Sequence, residues 1–449
     1  MIDSSTRHSD IPTCALTCVD LFAGAGGFGL GFRASGFEHL LSLELDSWAA
    51  DTLRHNHAGN SVIEADIRDY WEHATIRSLA RTPVDVLVGG PPCQGFSIAG
   101  PAAKDPSDPR NSLFRDFANW VAALTPRVFV MENVKGLLSR RTKEGVPVVT
   151  VIQDAFRELG YNVEVWTLNA AAFGVPQTRE RIFVVGNRIG VPAIGGPSPT
   201  HSPTLQCAHS GSQLLLAPDS MLQPAVTLWE AISDLPAREP GEGLETDRYD
   251  RPPMSEYQRV LRTGTTALFN HVAMSHSSRL VERFKHVDWG ESSANVPSEH
   301  WARKRDGSGD LSAAMYSQNN RRLHPHRPSQ TIAASFYANF LHPYQHRNLT
   351  AREGARIQSF PDSYRFLGKK TVMSQKLLHR EGRHSEKHVC QYSQIGNAVP
   401  PILASAIATH LRKVLTNELR TRLQSTAKGS SPDEVHGRRE SAILAGDPT

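Results

Sequence analysis

From Cys18 to about Arg188, short apolar runs alternate with longer amphipathic segments. The apolar runs predict β-strands at Cys18–Phe22, Leu40–Leu45, Asp85–Val88, Val128–Met131, Asn162–Leu168 and Arg181–Val185. Between them, the periodicity predicts helices at Ser47–Asn56, Leu113–Leu124 and Val148–Leu159. Strands that alternate with helices predict parallel βαβ units, and therefore an α/β fold with a doubly wound sheet. Ligands of such sheets bind at the carboxyl ends of the strands.

The alternation is lost after Gly190, and residues 191–225 are rich in Pro, Ser and Gly. Regular patterning returns near Arg321, with helices predicted at Thr350–Phe360 and Pro400–Leu419. We therefore expect five parts: a disordered N-terminus (1–15), a sheet domain (16–190), a smaller irregular domain (191–320), a segment that returns to the sheet domain (321–423) and a polar, disordered tail (424–449).

The composition narrows the class of protein. With 39% hydrophobic and 21% charged residues, the chain is typical of globular proteins. No apolar run approaches the roughly 18 residues of a membrane span, and Met1–Pro12 has no signal-peptide core. The five cysteines are odd in number and scattered, which favours a reducing cytoplasm over a disulfide framework. Cys14 and Cys18 have no second pair after them, so a strand start is favoured over a zinc site, and no metal is expected.

The net charge says less about the class of protein and its partners. The formal net charge of +4 is compatible with a polyanionic partner but does not identify one. Acidic residues concentrate in segment 238–256. Any nucleic-acid footprint must therefore be local.

A Gly-rich turn, Asp20-Leu-Phe-Ala-Gly-Ala-Gly-Gly27, follows the first strand and opens a helix. Its glycines allow a tight turn and a close approach to a ligand, although packing alone explains many such turns. Phe22 lies inside the turn and no Gly-Lys-Ser/Thr follows, which disfavours a nucleoside triphosphate. Glu44 ends the next strand, where an acid can accept hydrogen bonds from ribose hydroxyls. Asp66 ends the third strand and could accept from an adenine amino group, so we predict a nucleoside site.

The fourth strand leads into Pro91-Pro92-Cys93. Two prolines fix the direction of a cysteine at the carboxyl end of a central strand, which is typical of a nucleophile, although a buried inert thiol remains an alternative. Glu132 follows the next apolar run and is either solvent-exposed or held for proton chemistry. Arg179 and Arg181 precede a buried strand and either reach the same pocket or form a solvated charge cluster.

These motifs occur in a fixed order along the chain: Asp20-Leu-Phe-Ala-Gly-Ala-Gly-Gly27, Glu44, Gly89-Gly-Pro-Pro-Cys-Gln-Gly-Phe-Ser97, Glu132-Asn-Val134, Gln177-Thr-Arg-Glu-Arg181 and Gln394-Ile-Gly-Asn-Ala-Val-Pro400. The series resembles that of DNA cytosine-5 methyltransferases of the bacterial restriction-modification type. The resemblance runs from about Thr17 to Leu419, except for most of the middle. It implies a Rossmann-like methyltransferase sheet, with 16–190 as the catalytic and cofactor domain and 191–320 as the target-recognition domain.

The resemblance also implies residue roles. In the catalytic set, Cys93 is the nucleophile, Glu132 contacts cytosine N3, Arg181 contacts O2 and Arg179 braces the site. The cofactor-binding set for S-adenosylmethionine is Phe22, Gly24, Gly26 and Gly27 at the methionine moiety, Glu44 at the ribose, Leu45 and Asp66 at the adenine, Pro91, whose carbonyl would face the exocyclic amine, and Asn397. The family often has a larger residue than Leu45. The DNA-binding set is Gln94, Ser97 and Arg110, within or beside a mobile loop at 97–110.

The implied chemistry explains these residue types. A thiolate that adds to C6 of cytosine makes C5 nucleophilic enough to accept a methyl group. Glu132 would support this step by donating a proton or hydrogen bond to N3, and Arg179 could favour the thiolate. The cytosine is buried in duplex DNA and must be flipped out first. The implied partners are double-stranded DNA and a cognate restriction endonuclease, with no membrane. We expect a monomer in the bacterial cytoplasm, associated with the nucleoid.

The middle of the chain offers candidate base contacts, each of which is more often structural. They are His271, His276, Arg279, Trp301, Arg303, Lys304, Arg305 and Tyr316. The inserted stretch Lys369–Cys390 is basic and either touches phosphates or forms a solvated hairpin.

Two other functions remain open. One is the same chemistry on transfer RNA, but the Cys-Phe-Thr signature of those relatives is absent and the middle region is long. The other is an inactive regulator that binds DNA or the cofactor. Such proteins usually lose the cysteine or the acid, whereas Cys93, Glu132 and Arg181 are all present.

Overall fold

The structure is a computed structural model. It describes residues 15–57, 59, 61–68, 78–79, 81–92, 113–142, 145–203, 222–301, 303, 310–311, 317–371, 380, 382 and 388–429, with side chains to residue 421 in the last helix. Cys93, Gln94, Ser97 and Arg110 lie outside the described residues, as do Lys304, Arg305 and Tyr316.

A seven-stranded sheet forms the centre of the first lobe. The strands are β1 (Thr17–Leu21), β2 (Glu38–Glu44), β3 (Val62–Glu64), β4 (Val86–Gly89), β5 (Val128–Val134), β6 (Asn162–Asn169) and β8 (Glu180–Asn187), while β7 (Gln177–Thr178) lies outside the sheet. Their order is β3-β2-β1-β4-β5-β8-β6. The predicted doubly wound α/β sheet is confirmed, with β1 at the point where the strand order reverses.

One strand departs from the predicted parallel arrangement. β8 runs antiparallel to both of its neighbours, β5 and β6. The connection from β6 to β8 includes only the short 3-10 turn Ala170–Phe173 and the two-residue β7. Because a parallel crossover needs a dozen or more residues, usually a helix, this connection is too short for one.

Helices cover both faces of the sheet. They are α1 (Gly27–Ala34), α2 (Ser47–Asn56), α3 (Leu113–Leu124) and α4 (Val148–Glu158), with bounds within one residue of those predicted for α2, α3 and α4. Val128 and Val130 of β5 face one apolar cluster, and Phe129 and Met131 face the other. Both faces are buried, which explains why the central strands are apolar throughout rather than alternating.

The second lobe is a set of short elements after residue 222. These are α5 (Leu228–Ile232), β9 (Thr246–Arg248), α6 (Glu256–Leu261), β10 (Ala267–Phe269), α7 (Ser278–Lys285), β11 (Arg321–Arg322), β12 (Ser329–Gln330), α8 (Phe336–Asn339), β13 (Phe340–Leu341), α9 (Ala351–Ile357) and α10 (Gln391–Asn397). Its apolar core joins Leu228 and Leu268 to Phe336, Ile357 and Tyr392. This core therefore draws on both sides of residue 320, where we expected a domain boundary.

Buried ion pairs hold α9 inside the second lobe. Arg356 pairs with Asp234 at 3.0 Å and with Asp362 at 2.6 Å, and Arg347 pairs with Glu353 at 2.7 Å. All of these side chains are essentially inaccessible to solvent. Since a buried charge is tolerated only when it is paired, removing one partner would be strongly destabilising.

The last helix, α11 (Pro401–Gly429), returns to the first lobe and packs on α1. A Cβ at Gly31 would lie 2.5 Å from the Cβ of Ala404, so glycine permits this close approach. The helix continues to Gly429, past residue 424, where we expect the polar tail to begin. No helix in the described part of the chain is long and apolar enough to cross a membrane.

Candidate active site

A cavity of about 820 Å³ lies at the carboxyl ends of β1, β2, β4 and β5. Most of the predicted site residues that the structure describes line it, namely Phe22, Gly24, Gly27, Glu44, Leu45, Asp66, Pro91, Glu132, Arg179, Arg181 and Asn397. Its volume is within the range typical of small-molecule sites. The residues predicted for the cofactor and those predicted for the base thus share one continuous space.

The Gly-rich turn is held in a left-handed backbone conformation at three positions. The φ angles are 55° at Phe22, 54° at Gly24 and 77° at Gly26. Asp20 fixes the start of α1, because its Oδ2 accepts the N–H of Gly29 at 3.0 Å. Burial raises the pKa of Asp20 to about 7. Sequence analysis assigned no role to this acid.

The glycines serve different purposes. A Cβ at Gly24 would meet nothing within 4 Å, so this residue leaves open space on the cavity side. A Cβ at Gly27 would lie 2.2 Å from the carbonyl oxygen of Val399, so Gly27 is needed for packing against the late motif as well. Gly26, predicted as a cofactor residue, is not among the residues that line the cavity. A Cβ there would lie 2.5 Å from Leu53.

Glu44 is oriented by two backbone groups. Its Oε2 accepts the N–H of Gly24 at 2.7 Å and its Oε1 accepts the N–H of Asp46 at 2.8 Å. Burial raises the pKa of Glu44 above its ordinary value, although these hydrogen bonds oppose the shift. Each carboxylate oxygen has a further lone pair, so both can still accept a ligand hydroxyl.

The two residues predicted at the adenine, Leu45 and Asp66, differ in how many contacts their side chains already make with the protein. Leu45 is 65% exposed and borders the cavity, so its side chain has little protein packing. Asp66 accepts hydrogen bonds from Arg68 at both carboxylate oxygens, at 2.9 Å for Oδ1. These bonds lower the pKa of Asp66. A ligand amino group would therefore share this carboxylate with Arg68.

Glu132 and Arg181 form an ion pair at the other end of the cavity. Nε of Arg181 lies 2.9 Å from Oε1 of Glu132, and the two side chains are only 14% and 15% exposed. Burial raises the pKa of Glu132, while the positive charges of Arg181 and Arg179 oppose the shift. The carboxyl is therefore poised to hold a proton more readily than an ordinary glutamate.

Arg179 is buried and acts as a clamp rather than as a free charge. Its Nη1 donates to the carbonyl of Ile332 at 2.8 Å and its Nη2 donates to that of Gly396 at 3.0 Å. Burial lowers the pKa of Arg179 to about 9, and the positive charge of Arg181 lowers it further. Arg179 lies between β7 and β8, and its two bonds join this segment of the first lobe to two parts of the second lobe, the backbone at Ile332 and α10. Arg179 thereby fixes the positions of the cavity walls.

The carbonyl of Pro91 already has a donor. Nδ2 of Asn133 lies 3.3 Å from it, and the side chain of Asn133 is buried. Because a carbonyl oxygen has two lone pairs, a base amine could be accepted as well. Asn133 stands next to Glu132 in the motif, yet its own role was not predicted.

Other candidates from the middle of the chain are structural. His271 is fully buried, with Nδ1 3.0 Å from Thr350 Oγ1 and Nε2 2.8 Å from the carbonyl of Pro236. Trp301 donates from Nε1 to Val296, and Arg279 donates to the carbonyl of Trp301. His271 is therefore held as a structural residue, which was the commoner expectation for these candidates. The other two hold neighbouring backbone, in line with the same expectation.

Comparisons with known proteins identify the family. Residues 16–413 match the family model for C-5 cytosine-specific DNA methylases. The chain is 44% identical to the type II methyltransferase M.DdeI of Desulfomicrobium norvegicum over 397 residues, 88% of each chain. It is 35% identical to M1.HphI of Haemophilus parahaemolyticus over 405 residues, 90% of this chain and 88% of that one.

A solved structure supports the fold. The crystal structure of a protein described as a prophage-encoded DNA modification methyltransferase of E. coli has a TM-score of 0.62 and 22% identity, and the match covers 90% of this chain and all of that one. The family resemblance of the motifs is confirmed by the family model, which spans residues 16–413. The chain belongs to the family of C-5 cytosine-specific DNA methylases and is a DNA cytosine-5-methyltransferase.

Proposed function

We propose that the chain transfers a methyl group from S-adenosylmethionine to C5 of one cytosine in a short duplex DNA sequence, through covalent attack of Cys93 on C6. The observation that carries the proposal is the shared cavity. Glu44, oriented for a diol, and the Glu132–Arg181 pair, oriented for a base edge, border the same space.

The cofactor end of the cavity has the chemistry of an adenosine site. Gly24 leaves room for close approach, and the partly buried carboxylate of Glu44 has free lone pairs for ribose hydroxyls. Phe22 and Leu45 offer apolar surface, and Asn397 lines the same space. S-adenosylmethionine, when bound, supplies the methyl group on its sulfonium.

The base end accounts for the activation of cytosine. The thiolate of Cys93 would form a bond to C6, and the electron pair of the C5–C6 double bond would become available at C5. Glu132, with its raised pKa, would donate to N3 where charge accumulates, and Arg181 would hold O2. After methyl transfer, loss of the C5 proton and departure of the Cys93 sulfur would restore the aromatic ring.

The setting we infer is a type II restriction-modification system, because the relatives M.DdeI and M1.HphI carry that designation. The target sequence would be read by segment 191–320, with a restriction endonuclease of the same specificity as functional partner. Exchange of this segment with that of a relative should change the sequence methylated. Leu228 and Leu268 should be retained in the exchange, because they pack on Phe336 and Ile357 beyond it.

The test is bisulfite sequencing of plasmid DNA from cells that express the chain or its Cys93→Ala variant. We expect protected cytosines at one short motif with the unaltered chain and none with the variant. Protection that persists in Cys93→Ala would overturn the nucleophile. No protection from a folded, S-adenosylmethionine-binding chain would overturn duplex DNA as substrate and favour RNA.

A further inference from the structure

His388 completes the cavity wall beside Glu44, although it comes from the insertion Lys369–Cys390 rather than from a family motif. Both His388 and the next residue, Val389, line the cavity. Of the cavity-lining residues that the structure describes, only Phe22, Phe28 and His388 carry aromatic rings. His388 is the polar one.

The position of His388 is fixed by the start of α2. Its Nδ1 lies 3.2 Å from Oγ of Ser47 and 3.5 Å from Oδ2 of Asp46. Its ring centroid lies 4.9 Å from that of Trp48, at 39° between the ring planes. The N–H of Val389 donates to the same Asp46 Oδ2 at 2.8 Å. The ring is therefore held on one face and at one nitrogen.

The same short segment orients Glu44. The backbone N–H of Asp46 donates to Oε1 of Glu44 at 2.8 Å, and Oδ1 of Asp46 caps α2 by accepting the N–H of Ala49 at 3.0 Å. Asp46 thus positions both the carboxylate of Glu44 and the ring of His388 relative to the first turn of α2. The distance between the two groups is consequently set by local structure, as a ligand-binding pair requires.

The Nε2 edge of His388 is the part of the ring that the contacts with Ser47 and Asp46 leave open. Nε2 has no hydrogen bond to the residues that the structure describes, and the side chain is 30% exposed. A neutral imidazole with Nδ1 engaged presents Nε2 as either a donor or an acceptor. Adenosine has both kinds of group on its purine edge and its ribose, and its flat base packs well on a ring.

We propose that His388 is a cofactor-binding residue that contacts the adenosine moiety of S-adenosylmethionine through its ring and its Nε2. This inference rests on the proposed function, because it assumes that the cavity takes this cofactor. It also explains how Leu45, which is small and 65% exposed, is tolerated at the adenine end. His388 supplies there the ring surface that Leu45 lacks.

The test compares four forms of the full-length protein: unaltered, His388→Ala, His388→Phe and a control, His55→Ala. His55 is an exposed histidine on α2. The dissociation constants of S-adenosylmethionine and S-adenosylhomocysteine are measured by calorimetry, with the melting temperature of each apo form. We expect about a tenfold weaker affinity in His388→Ala, a smaller loss in His388→Phe, which keeps a ring, and none in His55→Ala.

Steady-state kinetics adds a readout that a merely structural role would not give. We expect KM for S-adenosylmethionine to rise in His388→Ala while kcat at saturation and the affinity for DNA stay unchanged. Unchanged cofactor affinity in His388→Ala would overturn the inference and leave the proposed function standing. Equal losses in the Ala and Phe variants would overturn the ring contact. An unaltered protein that does not bind S-adenosylmethionine would instead overturn the proposed function.

Discussion

The hydroxyl of Tyr364 lies 2.6 Å from the carbonyl oxygen of Ala25, 339 residues earlier in the chain. Nε2 of His57 lies 3.0 Å from the same hydroxyl. Burial lowers the pKa of His57 to about 3, so its ring is neutral at pH 7 and Nε2–H can donate to Tyr364 while Tyr364 donates to Ala25. Tyr364 of the second lobe thus fixes the backbone of the Gly-rich turn at Ala25.

We predict that Tyr364→Phe weakens cofactor binding several-fold and lowers the free energy of unfolding by about 1–3 kcal/mol, because buried groups lose their partner. The matched control is Tyr392→Phe, which removes a buried hydroxyl bond to the carbonyl of Leu349 at 3.0 Å. It should cost similar stability with no change in cofactor affinity. Calorimetry and urea unfolding check both. Equal affinity losses in the two variants would show that the Tyr364 bond has no special role at the turn.

We predict that Glu132→Gln lowers kcat by about 10²-fold or more, because the amide cannot transfer a proton to N3. Cofactor affinity should not change. The control is Glu180→Gln, whose carboxylate forms an exposed ion pair with Lys135 at 2.7 Å. Single-turnover methylation of DNA with labelled cofactor measures both. A kcat in Glu132→Gln within threefold of the unaltered enzyme would remove Glu132 from proton chemistry.

Activity should also depend on pH through Glu132. Its pKa is raised by burial, and the protonated form is the one that donates. The step that needs this proton should therefore slow as pH rises through that pKa and be unimpaired below it. The Glu132→Gln variant should lack this alkaline limb. A limb that persists in the variant would assign it to another group.

We predict that Arg179→Lys costs about 2 kcal/mol of stability and lowers kcat. An ammonium is a single point of charge and cannot reach the carbonyls of Ile332 and Gly396 together, as the guanidinium fork does. The control is Arg322→Lys, another buried arginine that donates to backbone carbonyls, including those of Phe284 and Val287 in the second lobe. That variant should lose stability in urea unfolding but keep its kcat. If Arg179→Lys loses stability alone, Arg179 does not shape the active site.

The fold should become less stable in mild acid because of His271. Burial lowers its pKa to about 4 from an ordinary 6.5, while the charge of Glu353 opposes the shift and that of Arg347 adds to it. Stability is thus complete above pH 6.5 and falls as pH drops toward 4, since the unfolded chain takes up the proton first, by up to about 1.4 kcal/mol per pH unit. Burial lowers the pKa of His57 and His342 in the same direction, to about 3.

Urea unfolding at pH 7.5 and pH 5.0 measures this dependence. The difference between the two free energies should shrink in His271→Gln, which has no titrating ring. Glu353 affects stability in a different pH range from His271. Its pKa is lowered in the folded chain, so the stability that it contributes is lost only as pH falls below its ordinary pKa of 4.5. An undiminished difference in His271→Gln would assign the acid sensitivity to the other buried histidines.

The sequence predicted the first lobe well because its signals are local. α2 and α3 have the predicted bounds, since each has a complete apolar face. The direction of β8 was not predictable from its own residues, because it depends on the short connection before it. Glu44 and Glu132 were found because each follows an apolar strand.

Contacts between distant segments were not predictable in the same way. Nothing in the local pattern of His388 indicates that it reaches Ser47, 341 residues away. Likewise, the buried state of His271 depends on Thr350 and Pro236, which the sequence near it does not reveal. The extent of the second core also escaped prediction, because Leu228 and Phe336 become neighbours only in the folded chain.

The packing of α11 on α1 has a consequence for synthesis. Ser35 and Ser405 share a hydrogen bond at 2.9 Å although they are 370 residues apart. Phe32 and Val128 belong to the same apolar cluster as Leu411. At a synthesis rate of about 5–20 residues per second, about 20–75 s pass between the synthesis of α1 and that of α11. One face of the sheet stays without this helix during that time. Chains stalled before Pro401 should therefore be cleaved by protease within α1. The part of the enzyme that is made first therefore gains the cover on one face of its sheet only when nearly the whole chain has been made.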